Sequence, residues 1–291
     1  MTDGLSASPP RPPSTPGEGR LVLVGTPIGN LGDLSPRAAE ALAAADVVCC
    51  EDTRRTGRLL QHIGVRVPSL KVVNDHTEEG AITEVLDRLA RGERVVVVSD
   101  AGMPGVSDPG ERLVAAALAA GHHVEVVPGP TAAISALVVS GLPAGRFVFE
   151  GFLPRKGSGR TARLAELAGE QRTVVLYEAP HRVARTLADL AATCGGDRQV
   201  VLARELTKLH EEHWRGTLAE AVVRVAEVEP RGEYVLVLDG AEAPPAATDE
   251  AIVAALAQAR ADGASTRDAV AAVVDRLGVA KRRVYDLATS R

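Results

Sequence analysis

Aromatic side chains are scarce in this chain, with three phenylalanines, three tyrosines and one tryptophan among 291 residues. Its cores must therefore be filled by Val, Leu and Ala, and recognition of nucleic acid by long rows of stacking rings is not expected. Cysteine is nearly absent too. Cys49, Cys50 and Cys194 form neither a C-x-x-C pair nor an even set, which argues against a disulfide framework and against a cysteine-built zinc site. They read as free thiols of a reducing compartment. There is no basic excess: 33 Lys and Arg stand against 38 Asp and Glu, a net charge of −5. A protein that coats nucleic acid non-specifically carries the opposite balance, so any contact with RNA must come from local patches. No run reaches the ~18 apolar residues that a membrane span requires. Residues 1–19 are rich in Pro, Ser and Gly and have no apolar centre, so they read as a disordered leader rather than a secretory signal.

What is present is a regular alternation. From residue 20, the short apolar runs "LVLVG", "ADVVCCE", "VPSLKVV", "RVVVVSD" and "HVEVVPG" are separated by longer helical patterns such as "SPRAAEALAAA" and "EEGAITEVLDRLARG". Solid valine runs suit strands buried on both faces, and the alternation predicts an α/β fold with a largely parallel sheet. A second series, "RFVFEGFL", "RTVVLYEAP", "QVVLARELT", "EEHWRGTL" and "GEYVLVLDG", has denser strands and predicts a mixed sheet. Residues 241–249 form a Pro/Ala linker, after which the chain reads as helices, the last two joined by "LGV" in a helix-turn-helix-like arrangement. The expected organisation is a leader (1–19), an N-terminal α/β domain (20–128), a second α/β domain (129–241), and a linker with a helical tail (242–291).

Open α/β sheets bind ligands at the C-terminal ends of their strands, and four loops fall there: "GTPIGN", "SDAGMPGVSDPG", "PGPTAAISAL" and "YEAPHR". The first is neither G-x-G-x-x-G nor a P-loop, because Pro27 stands in its middle and no Lys-Ser/Thr closes it. Glu51 and Asp52 follow the second strand, where a dinucleotide-binding fold places its ribose acid, so an ordinary dinucleotide domain stays open on spacing alone. Any one of these glycines, taken singly, reads as a left-handed turn position.

Taken in order and spacing, these loops together with "CEDTRRTGRLL", "FVFEGFLPRKG" and "RELTKLHEE" resemble the tetrapyrrole methylase superfamily, and most narrowly its ribosomal-RNA-directed branch. The resemblance implies two α/β domains with S-adenosylmethionine held in the cleft between them. It also implies methyl transfer to the 2′-oxygen of a cytidine in the decoding region of 16S ribosomal RNA. A cytoplasmic homodimer acting on 16S RNA or the 30S subunit goes with that. The cofactor positions it implies are Pro27, then Asp100, Ala101 and Gly102, then Pro130, Thr131 and Ala132, with Tyr177 and Glu178 from the second half. In this reading the glycines admit backbone close to the ligand and Pro27 fixes the turn. Asp100 accepts hydrogen bonds from the ligand, or else caps its own loop.

A ribose hydroxyl is a weak nucleophile, so a general base helps. Glu178, His181 and Glu205 are the candidates. Against them, "EAPHR" also reads as a helix start, and Glu205 as a partner of Arg204 or Lys208. Arg182 and Lys208 read as phosphate or orientation contacts. RNA affinity is expected from Arg54 and Arg55, and from "LPRKGSGRTAR", whose Arg155, Lys156, Arg160 and Arg163 have no acid among them; a solvated face is the plainer reading of such a run. The histidines show no metal-ligand spacing, so no metal is expected. Trp214 and Tyr285 read as packing residues. Two rivals remain: a methylase of this fold acting on a small molecule or a protein, and a non-enzymatic nucleic-acid binder built on the helical tail.

Overall fold

Strand β1 (Arg20–Val24) lies at the interior of a sheet: the valine-rich β4 (Arg94–Val97) pairs with it on one side and β5 (His123–Val127) on the other, both parallel. With β2 (Val47–Cys50) and β3 (Leu70–Val72) the order is β3-β2-β4-β1-β5, parallel throughout. The computed structural model describes residues 19–242 and 247–289. The leader expected over 1–19 lies outside the described residues except for Gly19, which is buried. Residues 243–246 of the expected linker also lie outside them.

The helices of this half start where their side chains can satisfy the first backbone N–H groups. Ser35 Oγ accepts from the Ala38 N–H at 3.1 Å ahead of α1 (Pro36–Ala43), with Pro36 at the first helical position. Asp52 accepts from the Arg54 N–H at 2.8 Å ahead of α2 (Thr53–His62). Helices α3 (Glu78–Ala90) and α4 (Glu111–Ala119) complete the set. Side-chain alternation along the strands feeds two cores, one on each face: Val22, Val24, Val48 and Val96 on one, Leu21, Val47, Val95 and Val97 on the other. Each fully buried aliphatic side chain contributes roughly 1.5–3 kcal/mol.

The connection from β1 leads to β2 on one side of the sheet, and the connection from β4 leads to β5 on the other. These adjacent strands therefore form a topological switch point, and the loops that follow them open a crevice at their C-terminal ends.

The second series forms a mixed sheet ordered β6-β7-β10-β8-β9, from β6 (Phe147–Phe152), β7 (Thr173–Glu178), β8 (Gln199–Arg204), β9 (Glu212–Thr217) and β10 (Tyr234–Leu238). Only β6 and β7 are parallel, joined through α6 (Ser158–Gly169). One face is covered by α6, α7 (Pro180–Cys194) and α8 (Leu218–Glu227). On the other lies α5 (Ala132–Ser140), together with Ile28 from the loop after β1. Helices α5 and α8 go beyond the sequence expectation, which places "PGPTAAISAL" in a loop. Contacts group both sheets into one unit ending at Ala241, with Glu242 onward as a second.

The tail unit has its own core. Helices α9 (Asp249–Ala261), α10 (Thr266–Leu277) and α11 (Lys281–Thr289) enclose Ile252, Leu256, Val270, Val273 and Val284. Thr248 and Ser265 cap the first two, and Gly278 at φ +60° ends α10, as a left-handed C-terminal residue does. Tyr285, expected to pack, is exposed.

Candidate functional site

The loops at the switch point are stitched together by backbone hydrogen bonds. The Gly25 N–H donates to the Val127 carbonyl at 2.9 Å, and Thr26 and Gly102 exchange bonds of 2.8 and 3.1 Å. Gly25 is packed against the loop after β5: a Cβ there would lie 2.6 Å from the Gly129 Cα and 2.7 Å from the Met103 sulfur. The two glycines pack face to face and bring the loops after β1 and β5 into contact. Gly29 serves the same purpose toward the second sheet, since a Cβ there would lie 2.4 Å from Lys208 Cγ, and the Asn30 N–H donates to Thr207 Oγ1 at 3.1 Å.

Between these loops and the second sheet is a cavity of about 670 Å³, within the range of small-molecule sites. All three phenylalanines of the chain and two of its three tyrosines line it. Tyr177 sits edge-on to Phe149 and Phe152, at 5.0 and 5.6 Å between ring centres. The bulge at Gly151 (φ +66°) breaks the register of β6 and leaves the Phe152 ring half exposed at the cavity. The scarce aromatics are thus concentrated in one place, a grouping invisible in the composition.

Of the positions expected to hold the cofactor, Ala101, Gly102, Thr131, Ala132, Tyr177 and Glu178 line this cavity. Pro27, Asp100 and Pro130 flank the stitched loops without lining it. Asp100 Oδ1 accepts from the Asp52 N–H at 3.2 Å and Oδ2 is 3.5 Å from Arg55 Nε, so this carboxylate ties the loop after β4 to the start of α2.

The three base candidates part company. Glu178 is buried with both oxygens engaged: Oε1 accepts from the Ala179 N–H at 2.9 Å and lies 3.1 Å from Arg182 Nε, and Oε2 accepts from the Thr186 hydroxyl at 2.6 Å. It secures the start of α7 from the cavity wall. Glu205 lies outside the cavity lining. Burial opposes its ionisation, but the Glu233 N–H and the Lys208 ammonium, both at 2.9 Å, hold its carboxyl below the ordinary range. A carboxylate so stabilised is a poor proton acceptor and a good anchor for Lys208, which does line the cavity. His181 is exposed and lines the cavity.

Two arginines expected at RNA are engaged within the protein. Arg160 is only 4% exposed and donates to Asp189 (2.9 Å), the Pro154 carbonyl (3.0 Å) and the Thr186 hydroxyl (3.0 Å). Its charge and its hydrogen-bonding capacity go to joining α6 to α7. Arg182 donates to the Leu153 carbonyl at 2.6 Å and pairs with Glu178. Arg155 and Lys156 are exposed, as are Arg54 and Arg55, although Arg54 is tied to Asp52 at 2.8 Å.

One cavity residue was missed. Asp108, in "VSDPG", lines the cavity, and burial, reinforced by the negative charges of Glu51, Asp100 and Asp75, pushes its carboxyl up to about 7. Burial also raises Glu51. The signal was in the quoted motif, but the neighbouring acids come from the ends of β2, β3 and β4.

Residues 20–222, well over half the chain, match the family model described as tetrapyrrole (corrin/porphyrin) methylases. The chain is 46% identical over 271 residues to the ribosomal RNA small subunit methyltransferase I of Synechocystis sp., covering 92% of this chain and 97% of that protein. It is 51% identical over 230 residues to the protein of that name from Xylella fastidiosa, covering 78% and 83%. Its fold is similar to the crystal structure of the methyltransferase CobJ, at a TM-score of 0.59 and 24% identity, covering 79% of this chain and 98% of that one. It is also similar to uroporphyrin-III C-methyltransferase from Thermus thermophilus complexed with S-adenosylhomocysteine, at 0.53 and 23%, covering 77% and 97%. A family model spanning the first sheet and all of the second but β10, and relatives covering 78–92% of the chain, agree with the stitched loops and the cavity they enclose: the chain belongs to the tetrapyrrole methylase family and, within it, to the ribosomal RNA small subunit methyltransferase I group.

Proposed function

We propose that this protein transfers a methyl group from S-adenosylmethionine to the 2′-oxygen of a cytidine in the decoding region of 16S ribosomal RNA. The observation that carries the reading is the cavity at the switch point, lined by the same loops through which the chain resembles its relatives. Its size and largely apolar, ring-lined wall suit a nucleoside. The backbone of Ala101, Gly102, Thr131 and Ala132, with Tyr177, would hold the cofactor. When bound, it supplies an electrophilic methyl group on a sulfonium centre.

The remaining tasks fall to the protein's own residues: to align donor and acceptor, and to keep water from the reacting atoms. Exposed Arg155 and Lys156, with Arg54 and Arg55, supply local positive charge for RNA phosphates despite the net charge of −5. A 2′-hydroxyl target distinguishes RNA from DNA by its presence alone. The protein acts in the cytoplasm, where its substrate is assembled, and works as a homodimer, for which the exposed Val126, Ile134 and Val138 offer apolar surface.

The test is methyl transfer from labelled cofactor to 30S subunits and to naked 16S RNA, both from cells lacking the modification, with the product mapped by nuclease digestion and mass spectrometry. Label in a 2′-O-methylcytidine of the decoding region is the expected result. Cofactor binding without transfer to either substrate overturns the ribosomal assignment in favour of a small-molecule acceptor.

A further inference from the structure

Asp108 is held at the cavity wall by a loop with little freedom. The Gly105 N–H donates to the Pro109 carbonyl at 3.0 Å, closing the loop on itself. Glu78, 4% exposed, reaches across from α3 and accepts from the Gly110 N–H at 2.9 Å and the Leu113 N–H at 3.1 Å. Ser107, next to Asp108, is left-handed at φ +59°, a conformation that non-glycine residues adopt only where the surroundings demand it. The β6 bulge abuts it, for a Cβ on Gly151 would come within 3.0 Å of Ser107 Oγ. A buried carboxylate and a strained residue thus fix one aspartate facing the cavity, as a preorganised functional group requires.

The other carboxylates at the cavity are already engaged. Glu178 is spent on Ala179, Arg182 and Thr186, and Glu233 pairs with Lys208 at 2.8 Å. Among the described residues, no Lys or Arg forms an ion pair with Asp108.

We propose that Asp108 accepts the proton of the acceptor hydroxyl, an assignment that rests on the methyl-transfer reading above. The 2′-oxygen forms its bond to the methyl carbon as the carbon–sulfur bond breaks, leaving that electron pair on sulfur, while the O–H proton passes to the Asp108 carboxylate. The products are a methyl ether, a neutral thioether and a protonated Asp108, which returns its proton to water. The groups facing Asp108 set its readiness. Burial above all, then Glu51, Asp100 and Asp75, raise its proton affinity, and a hydrogen bond with the Ser99 side chain opposes them. Tyr177 on β7 is itself raised, by burial and in part by Asp108. Arg55 is drawn to Asp100 at 3.5 Å, while His181 and Lys208 line the same cavity. With a carboxyl at about 7, a base is present in quantity at neutral pH and is not too weak to act.

The experiment compares wild type, D108N and D108E on 30S subunits and naked 16S RNA across pH 5.5–9, with cofactor binding followed by calorimetry and the Asp108 carboxyl by carbon NMR in the unliganded protein. The expected results are a carboxyl signal titrating near 7 and absent from D108N, and a wild-type kcat/KM rising tenfold per pH unit below that point. D108N should lose roughly 10²–10⁴-fold in kcat and its acid limb while still binding cofactor, and D108E should keep an acid limb at a shifted position. A D108N as active as wild type, or one retaining the same acid limb, overturns the role. Should D108N not fold, an acid limb in D108E unmoved from wild type overturns it. A wild type inactive on both RNA substrates overturns the methyl-transfer reading and this role with it, whereas an active wild type with an equally active D108N overturns the role alone.

Discussion

Tyr177 Oη accepts a hydrogen bond from the backbone N–H of Ala133 at 3.2 Å. A ring from the second sheet thereby satisfies one of the orphan donors at the start of α5, beside Thr131, whose hydroxyl takes the Ile134 N–H. One side chain both walls the cavity and fixes the segment that follows β5. Tyr177→Phe keeps the ring and strands the Ala133 N–H, at a cost of about 1–3 kcal/mol. We expect a lower Tm and cofactor affinity weaker by about 5–10-fold, near 1 kcal/mol, with kcat at saturation little changed. Calorimetric titration beside steady-state kinetics checks this, and an unchanged Kd would remove Tyr177 from the cofactor site.

Glycine substitutions should divide by what each glycine meets. Gly25→Ala places a methyl carbon 2.6 Å from backbone that belongs to Gly129, a clash no side-chain rotation relieves, and overpacking of this kind costs about 1–3 kcal/mol or more. At about 2–4 °C per kcal/mol for a chain of this size class, the loss is visible in a melting curve. Gly57→Ala, within α2 and with nothing within 4 Å of the new methyl, should instead raise stability by about 0.4–1 kcal/mol. Equal shifts at the two sites would contradict the packing role given to Gly25.

The strands and the switch-point loops were legible because valine runs and glycine-proline clusters are local signals. Helix α5 was not: Ala132–Ser140 is apolar on nearly every side and shows no polar face from which a helical period can be read. Arg160 looked like a phosphate contact because no acid lies near it in sequence, yet its partner Asp189 is 29 residues away, one helix later. Asp108 was hidden for the same reason. Its environment is built by burial, by Glu51 and Asp75 from two other strand ends, and by Asp100 earlier in its own loop, and no spacing rule links them. Local chemistry survives a reading of the chain, whereas a charge's environment depends on which loops the topology makes neighbours.

Arg160 and the Arg155–Lys156 pair should separate structure from RNA affinity. Arg160→Gln leaves Asp189 without its buried partner and should lower Tm, without altering how RNA binding depends on salt. Arg155→Gln with Lys156→Gln should leave Tm within a degree or two, since both side chains are exposed. Each phosphate contact removed should flatten the slope of log Kobs against log salt by about 0.7 for single-stranded RNA. Filter binding at several salt concentrations, read with melting curves, checks both halves. A slope that falls on loss of Arg160 would return that residue to the RNA surface.

The raised carboxyl of Asp108 also predicts how stability varies with pH. In the unfolded chain an aspartate releases its proton near 3.9, whereas in the folded protein Asp108 keeps it up to about 7. Between these values the folded state holds the additional proton, so this group's contribution to stability is fully present below pH 4. It declines as the pH rises through 7 and is flat above. Asp108→Asn, which cannot ionise, should therefore match wild type near pH 4 and exceed it by several degrees in Tm at pH 8. Melting curves at intervals of half a pH unit give the difference directly, and a constant gap across the range would mean that Asp108 ionises with an ordinary carboxyl's affinity.

Truncation after Ala241 tests what the tail contributes. The tail helices bury Ile252, Val270 and Val284 in a core of their own, and the preceding unit closes with β10 and the Ala241 N–H donating to the Glu170 carbonyl. No cavity-lining residue lies beyond Val235. The shortened chain should therefore fold, with a Tm close to that of the longer one, and bind cofactor with an unchanged Kd. If the clustered Lys281, Arg282 and Arg283 contribute to substrate recognition, the loss appears as a higher KM for 30S subunits with kcat preserved. A fall in kcat at equal KM would place the tail instead in the step that assembles the reacting groups. Loss of cofactor binding would contradict a site built wholly from the first unit.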